Sequence, residues 1–157
     1  MRLFVQVLGY KEYIYFAPYI RNIKVHNSYY VPFGKIAVGS TPLDIGNTVI
    51  NALKLANGID MQRDAIRDAI EEQLQIKTWP GVVKKCFHAE ITQYDQSNTI
   101  EINRAYGEKS GIFTEAMHKA SLDDPEDIGK KVLEALYYYK KVVSTSPKNP
   151  TLHIKNI

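Results

Sequence analysis

Cys86 and His88 stand two residues apart in Val83-Lys84-Lys85-Cys86-Phe87-His88-Ala89-Glu90. On a strand that spacing puts both side chains on one face, where a thiolate–imidazole pair could act as a nucleophile. Such pairs normally join distant segments, however, and a lone cysteine in an apolar stretch reads first as a buried structural thiol. Glu90 and Glu101 flank the turn Asp95-Gln96-Ser97-Asn98. As cross-strand neighbours in a hairpin they would have the geometry for paired acid–base work. Lys84, Lys85 and Lys119 are equally available to neutralise them, so ordinary exposed carboxylates are expected. His26, His88, His118 and His153 are spread along the chain, without the spacing or thiolate pair that a zinc site needs. Gly34 and Gly39 lack the Gly-Lys-Ser/Thr that would complete a phosphate loop. No catalytic residue, metal or cofactor is expected.

Two other groups of residues suit binding. Asp60, Asp64, Asp68 and Glu72 are spaced four apart, so on a helix their carboxylates form one row, with Glu71 beside it. Like charges at that spacing each cost a few tenths of a kcal/mol. Arg63 and Arg67 would relieve part of this, which leaves a solvated face or a recognition stripe for a basic partner. The second group is aromatic: Tyr10, Tyr13, Tyr15 and Tyr19 cluster with Lys11 and Arg21, and Tyr29-Tyr30 follow. Aromatics interleaved with cations on strands can stack single-stranded nucleic acid, and tyrosine is also a favoured protein-interface anchor. The signature sequences of the common RNA-binding folds are absent, so nucleic acid is the secondary reading.

Charge is segregated along the 157 residues. Residues 1–38 carry about +4 and 129–157 about +5, against about −6 for 39–128. The apolar runs are too short to span a bilayer, and Met1 to Val7 alternates like a strand rather than a signal peptide. A single cysteine forms no internal disulfide, and the expected location is the cytoplasm.

These residues need elements to hold them. Strands are expected over 2–8, 12–17, 28–33 and 35–38, then helices from Pro42 to Ala56 and from Asp60 to Gln75. Asn57-Gly58 would end the first helix. Met61, Ala65, Ile66, Ala69, Ile70 and Leu74 would line the buried stripe of the second. Thr78-Trp79-Pro80-Gly81 reads as a break with room for a short helical turn after it. A hairpin over 87–102, a strand within 112–121 and a helix over 125–143 complete the scheme. The chain reads as one α+β domain with antiparallel sheet and about three helices, and 144–157 as an extended tail with a short edge strand at Leu152-His153-Ile154.

One helix-start signal occurs twice, 83 residues apart: Thr41-Pro42-Leu43-Asp44-Ile45-Gly46 and Asp124-Pro125-Glu126-Asp127-Ile128-Gly129. Each offers an N-cap oxygen, a proline at N1, where a missing N–H costs nothing, and an aspartate in the positive end of the helix dipole. A glycine one turn into a helix costs about 1 kcal/mol against alanine. Its presence in both copies suggests close passage of another backbone, expected to be a strand.

The segments 40–53, 83–95 with Ile100-Glu101-Ile102, and 123–136 resemble the immunity proteins of bacterial contact-dependent growth inhibition (CdiI). The resemblance covers roughly residues 36 to 137, with Asp-Ile-Gly where Glu-Leu-Gly is commoner. It implies a non-catalytic bacterial cytosolic protein that binds the C-terminal toxin domain, usually a nuclease, of a large exported CdiA-type protein. An RNA-associated domain using the basic, tyrosine-rich N-terminus is the alternative. For toxin binding the expected residues are Asp60, Asp64, Asp68, Glu71 and Glu72, and the competing surface is Tyr10, Tyr13, Tyr15, Tyr19, Tyr29 and Tyr30.

Overall fold

A computed structural model describes residues 2–19, 24–25, 28–29, 34–56, 63–108 and 111–139. Strands β1 (Arg2–Tyr10), β2 (Tyr13–Pro18), β5 (Gly34–Ala37), β6 (Phe87–Tyr94), β7 (Thr99–Glu108) and β8 (Gly111–Ser121) form one sheet. Its order is β5-β2-β1-β6-β7-β8, antiparallel throughout. The two-residue strands β3 (Lys24–Val25) and β4 (Ser28–Tyr29) pair separately. Helices α1 (Pro42–Leu55) and α4 (Pro125–Leu136) cover one face. Helices α2 (Arg63–Leu74) and α3 (Trp79–Lys85) pack on the other. The fold is α+β, with four helices among the described residues.

The first face carries the larger core. Val5, Val7, Ile14, Phe16, Phe87, Ala89, Ile91, Ile100 and Ile102 alternate inward from their strands. They meet Ile45, Val49, Leu53, Ile128, Val132 and Leu136 of the two helices. Each of these helix residues occupies the same place in its copy of the repeated signal. Thr41 accepts a hydrogen bond from the Asp44 N–H at 3.2 Å, and Asp124 accepts one from the Asp127 N–H at 3.1 Å. Both helices begin where the signal places them.

The glycines correct one expectation. A Cβ on Gly46 would lie 1.7 Å from the Pro125 carbonyl oxygen, and one on Gly129 would lie 1.8 Å from that of Pro42. The close neighbour of each glycine is the first turn of the other motif helix, not a strand. The two copies lock reciprocally at this crossing, and the carbonyl oxygens take the room that side chains would fill.

Other boundaries also moved. Helix α1 ends at Leu55, capped by an extended Ala56; Asn57 and Gly58 lie outside the described residues. Helix α4 is interrupted at Tyr137, which leaves helical geometry with its ring 5.1 Å from that of Phe87; Tyr138 and Tyr139 are helical again, and the rest of the expected helix to 143 lies outside the described residues. Residues 140–157, with the expected edge strand at 152–154, are not described. The break at Thr78 is itself a helix start, since Thr78 accepts from the Gly81 N–H at 3.2 Å and Pro80 occupies the first turn. Across the sheet from the larger core, Leu8, Tyr15 and Ala17 meet Ile70, Leu74, Ile76, Val82 and Cys86. Ile70 and Leu74 are buried as the helical stripe required; Met61 lies outside the described residues, and the side chains of Ala65 and Ile66 are not described. Among the described residues no helix is long and apolar enough to cross a membrane.

Candidate partner-binding surface

The residues with catalytic potential are placed for structure. Cys86 is not on a strand but caps the C-terminus of α3, its N–H bonded to the Val82 carbonyl at 3.1 Å. Burial pushes its thiol up to about 12, with Lys85 pulling weakly the other way. A thiol so raised holds negligible thiolate at neutral pH and is a poor nucleophile. His88 is buried in the same layer with Nε2 3.0 Å from the Val83 carbonyl oxygen. The native protein is therefore expected to resist iodoacetamide until it unfolds. Cys86→Ala should cost about 1–2 kcal/mol from the small cavity and leave partner binding intact. Mass spectrometry of the alkylated protein and a denaturation curve check both.

Glu90 and Glu101 are not directly opposite each other. Glu90 stands opposite Asn103 on one side and Gln6 on the other, whereas Glu101 faces Thr92 and Lys119. The hairpin register is set by a turn in which Asp95 and Gln96 both have positive φ (46° and 57°) and the Ser97 N–H bonds to the Tyr94 carbonyl at 2.8 Å. That register leaves the two glutamates diagonal on one face. Burial raises the Glu90 carboxyl above the usual range, opposed by the nearby Arg2. A raised carboxyl binds its proton more tightly folded than unfolded, so its contribution to stability is full below the ordinary glutamate range. That contribution is lost as pH rises through the folded value. Glu90→Gln should thus raise the melting temperature at pH 7 and match the parent near pH 4. Thermal melts across that range read the difference.

The acidic row lies on α2. Asp68 and Glu72 are exposed and Glu71 half-buried, on the side of the helix away from Ile70 and Leu74. Asp64 belongs to α2, but its side chain is not described, and Asp60 lies outside the described residues. Arg67 carries its guanidinium over the Trp79 ring at 5.0 Å. Helix α2 ends in an interlocking cap: the Ile76 N–H bonds to the Glu71 carbonyl at 3.0 Å and the Gln75 N–H to that of Glu72 at 3.2 Å. Gln75 adopts φ 56° in the place that glycine usually fills.

The tyrosines divide. Tyr15 is buried against the second core, and Tyr19 donates its hydroxyl to Gln6 Oε1 at 3.4 Å while its ring lies 5.9 Å from Phe4. Tyr10 and Tyr13 close the β1–β2 turn opposite each other. Lys11 lies over the Tyr10 ring at 5.2 Å and Lys35 over the Tyr13 ring at 4.6 Å. Tyr30 lies outside the described residues, and the side chain of Tyr29 is not described.

The tyrosines of the β1–β2 turn face the C-terminal end of α2, past the acidic residues of that helix. A groove of about 610 Å³ has Tyr10, Tyr13 and Tyr15, with the turn Lys11-Glu12, as one wall, and Gln73, Leu74 and Gln75 at the end of α2 as the other. Sequence reasoning missed this junction. Nothing local marks Gln75 as a left-handed cap, and the packing of α2 beside the β1–β2 turn is a tertiary fact. A second aromatic group was also missed. Tyr106 stacks on Phe113 at 5.6 Å and meets Tyr139 at 5.0 Å, and Arg104 bonds Glu115 beneath the Tyr138 ring. Among the described residues no cluster of three or more His, Cys, Asp or Glu could hold a metal ion.

No protein-family model matches the sequence, and no curated protein does. Solved structures do share the fold. A protein of unknown function from Neisseria meningitidis superposes with a TM-score of 0.60 at 17% identity, covering 88% of this chain and 95% of that one. A chain of the CdiA-CT/CdiI toxin and immunity complex from Yersinia pseudotuberculosis superposes with a TM-score of 0.58 at 15% identity, covering 87% and 96%. At these identities the likeness is one of fold.

Proposed function

We propose that this chain is an immunity protein of the contact-dependent growth inhibition type, binding and neutralising the toxin domain of a CdiA-type protein in the bacterial cytoplasm. The carrying observation is the fold match to a chain of a toxin and immunity complex over 96% of that chain's length. The buried, proton-holding Cys86 supports a binding role over cysteine catalysis. Toxin nucleases act on polyanions and are commonly basic, which suits the acidic residues Asp60, Asp64, Asp68, Glu71 and Glu72, the last four of them on α2. Burial of Tyr15 and packing of Tyr19 remove two rings from any nucleic-acid stacking platform and weigh against the RNA reading. The test is coexpression with the toxin domain encoded by the adjoining upstream reading frame. Cells carrying this chain should survive induction, and death at the same rate with or without it would refute the proposal.

A further inference from the structure

Among the described residues four other than glycine have positive φ, and two of them, Lys11 and Gln75, line the groove between the β1–β2 turn and the end of α2. Asp95 and Gln96 make the tight β6–β7 turn together, a geometry that asks for two such residues in succession. Lys11 (φ 53°) and Gln75 (φ 56°) stand alone: the first opens the two-residue turn after β1, the second directly follows α2. Glycine takes that backbone without the crowding of a Cβ and is the usual residue in both kinds of place. A side chain held there at a cost in backbone energy points to a use for the side chain. The two stand on opposite walls of the groove, one from the turn and one from the helix end.

The lining sets the kind of occupant. It carries one lysine and one glutamate, so it offers no net charge to an ion. Lys11 and Lys35 already lie over the Tyr10 and Tyr13 rings, which leaves little gain for a further cation. The remaining lining is apolar area from tyrosine rings and Leu74, beside the amides of Gln73 and Gln75. That combination, in a volume of about 610 Å³, suits an uncharged group with a large apolar body and a polar tip. An aromatic side chain is such a group. The Tyr13 and Tyr15 rings are inclined at 58° with centroids 6.2 Å apart, so an entering ring that lies along one meets the other tilted, as aromatic pairs prefer.

We propose that this groove is an anchor site for an uncharged aromatic side chain, tryptophan above all, projecting from a protein partner, and that Lys11 and Gln75 keep their side chains in left-handed backbone to form its two walls. The identity of that partner as a toxin rests on the function proposed above; the preference of the groove for an aromatic ring does not. The indole body fills the space among the tyrosines and Leu74, and its N–H donates to an amide oxygen of Gln73 or Gln75.

The probe is N-acetyl-tryptophanamide, titrated into the full chain and followed by backbone amide chemical shifts. N-acetyl-leucinamide, apolar without a ring, and N-acetyl-argininamide, planar and charged, are the controls. The expected result is saturable shifts over residues 10–15 and 73–76 with the tryptophan compound and no saturable shifts with the other two. Lys11→Gly and Gln75→Gly should each raise the melting temperature, since glycine relieves the backbone, and each weaken the tryptophan compound. For Gln75→Gly the loss should be about threefold, the scale of one hydrogen bond. Equal shifts from the leucine or arginine compound, no saturable shift from the tryptophan compound, or parental affinity in both glycine variants would overturn the site. A lowered melting temperature in both variants would overturn its premise that the two side chains are held against the backbone's preference. Saturable binding of the tryptophan compound by a chain that fails to protect cells would leave the site standing and count against the immunity function alone.

Discussion

Gly129→Leu should be the most damaging single substitution in the described fold, costing about 3 kcal/mol or more, the upper end for overpacking a close contact. Gly129 faces the carbonyl of Pro42, and Gly46 faces that of Pro125, so any side chain at either place meets backbone that cannot rotate away. Even Gly129→Ala should destabilise, although alanine is favoured over glycine by about 1 kcal/mol in a helix interior. The sign of that change separates close approach from helix propensity. The double variant Gly46→Ala/Gly129→Ala should cost less than the sum of the singles, because separating α1 from α4 at one contact relieves the other. Gly39→Ala is the control: nothing lies within 4 Å of its added Cβ, and it should be neutral or slightly stabilising. Urea denaturation of these four variants, the single Gly46→Ala and the parent measures all of this. A raised midpoint for Gly129→Ala would contradict the reciprocal lock.

The second large effect is on association. Asp68→Lys with Glu72→Lys reverses two exposed members of the acidic stripe, away from the buried Ile70 and Leu74 of α2. The free protein should keep its melting temperature. Its association with a basic toxin domain should slow by about tenfold to a hundredfold at low ionic strength, the scale of electrostatic steering. The difference should shrink as salt shortens the Debye length from about 10 Å at 0.1 M to about 3 Å at 1 M. Stopped-flow kinetics over a salt series gives the slope. Equal rates for variant and parent at every salt concentration would remove the α2 stripe from the contact surface.

What the sequence made legible was local. Thr41 and Asp124 as caps, the prolines after them and the buried stripes behind them are read within one turn of helix, and the structure keeps them all. The meaning of Gly46 and Gly129 was half legible. Their spacing announced a close approach, but the partner of each is the other copy, 83 residues away, and no local pattern names a tertiary neighbour. Glu90 and Glu101 fall diagonal rather than directly opposite because hairpin register depends on turn conformation. Two positive-φ residues at Asp95 and Gln96 fix that register, and neither is glycine or asparagine. Tyr137, where α4 is interrupted, has its ring against Phe87, fifty residues back, a neighbour that no local pattern names. The candidate groove has the same character. Its tyrosines were visible, whereas the placing of Gln73, Leu74 and Gln75 opposite them depends on the packing of α2 against the second core.

The most direct test of the account is titration calorimetry of the purified chain with the purified toxin domain from the upstream reading frame, paired with an assay of the toxin's own activity. The expected result is a 1:1 complex of nanomolar or tighter affinity, in keeping with bacterial DNase–immunity pairs that reach about 10⁻¹³ to 10⁻¹⁶ M, and loss of toxin activity at one equivalent. Absence of binding at micromolar concentrations, with an active toxin and a folded chain, would contradict it.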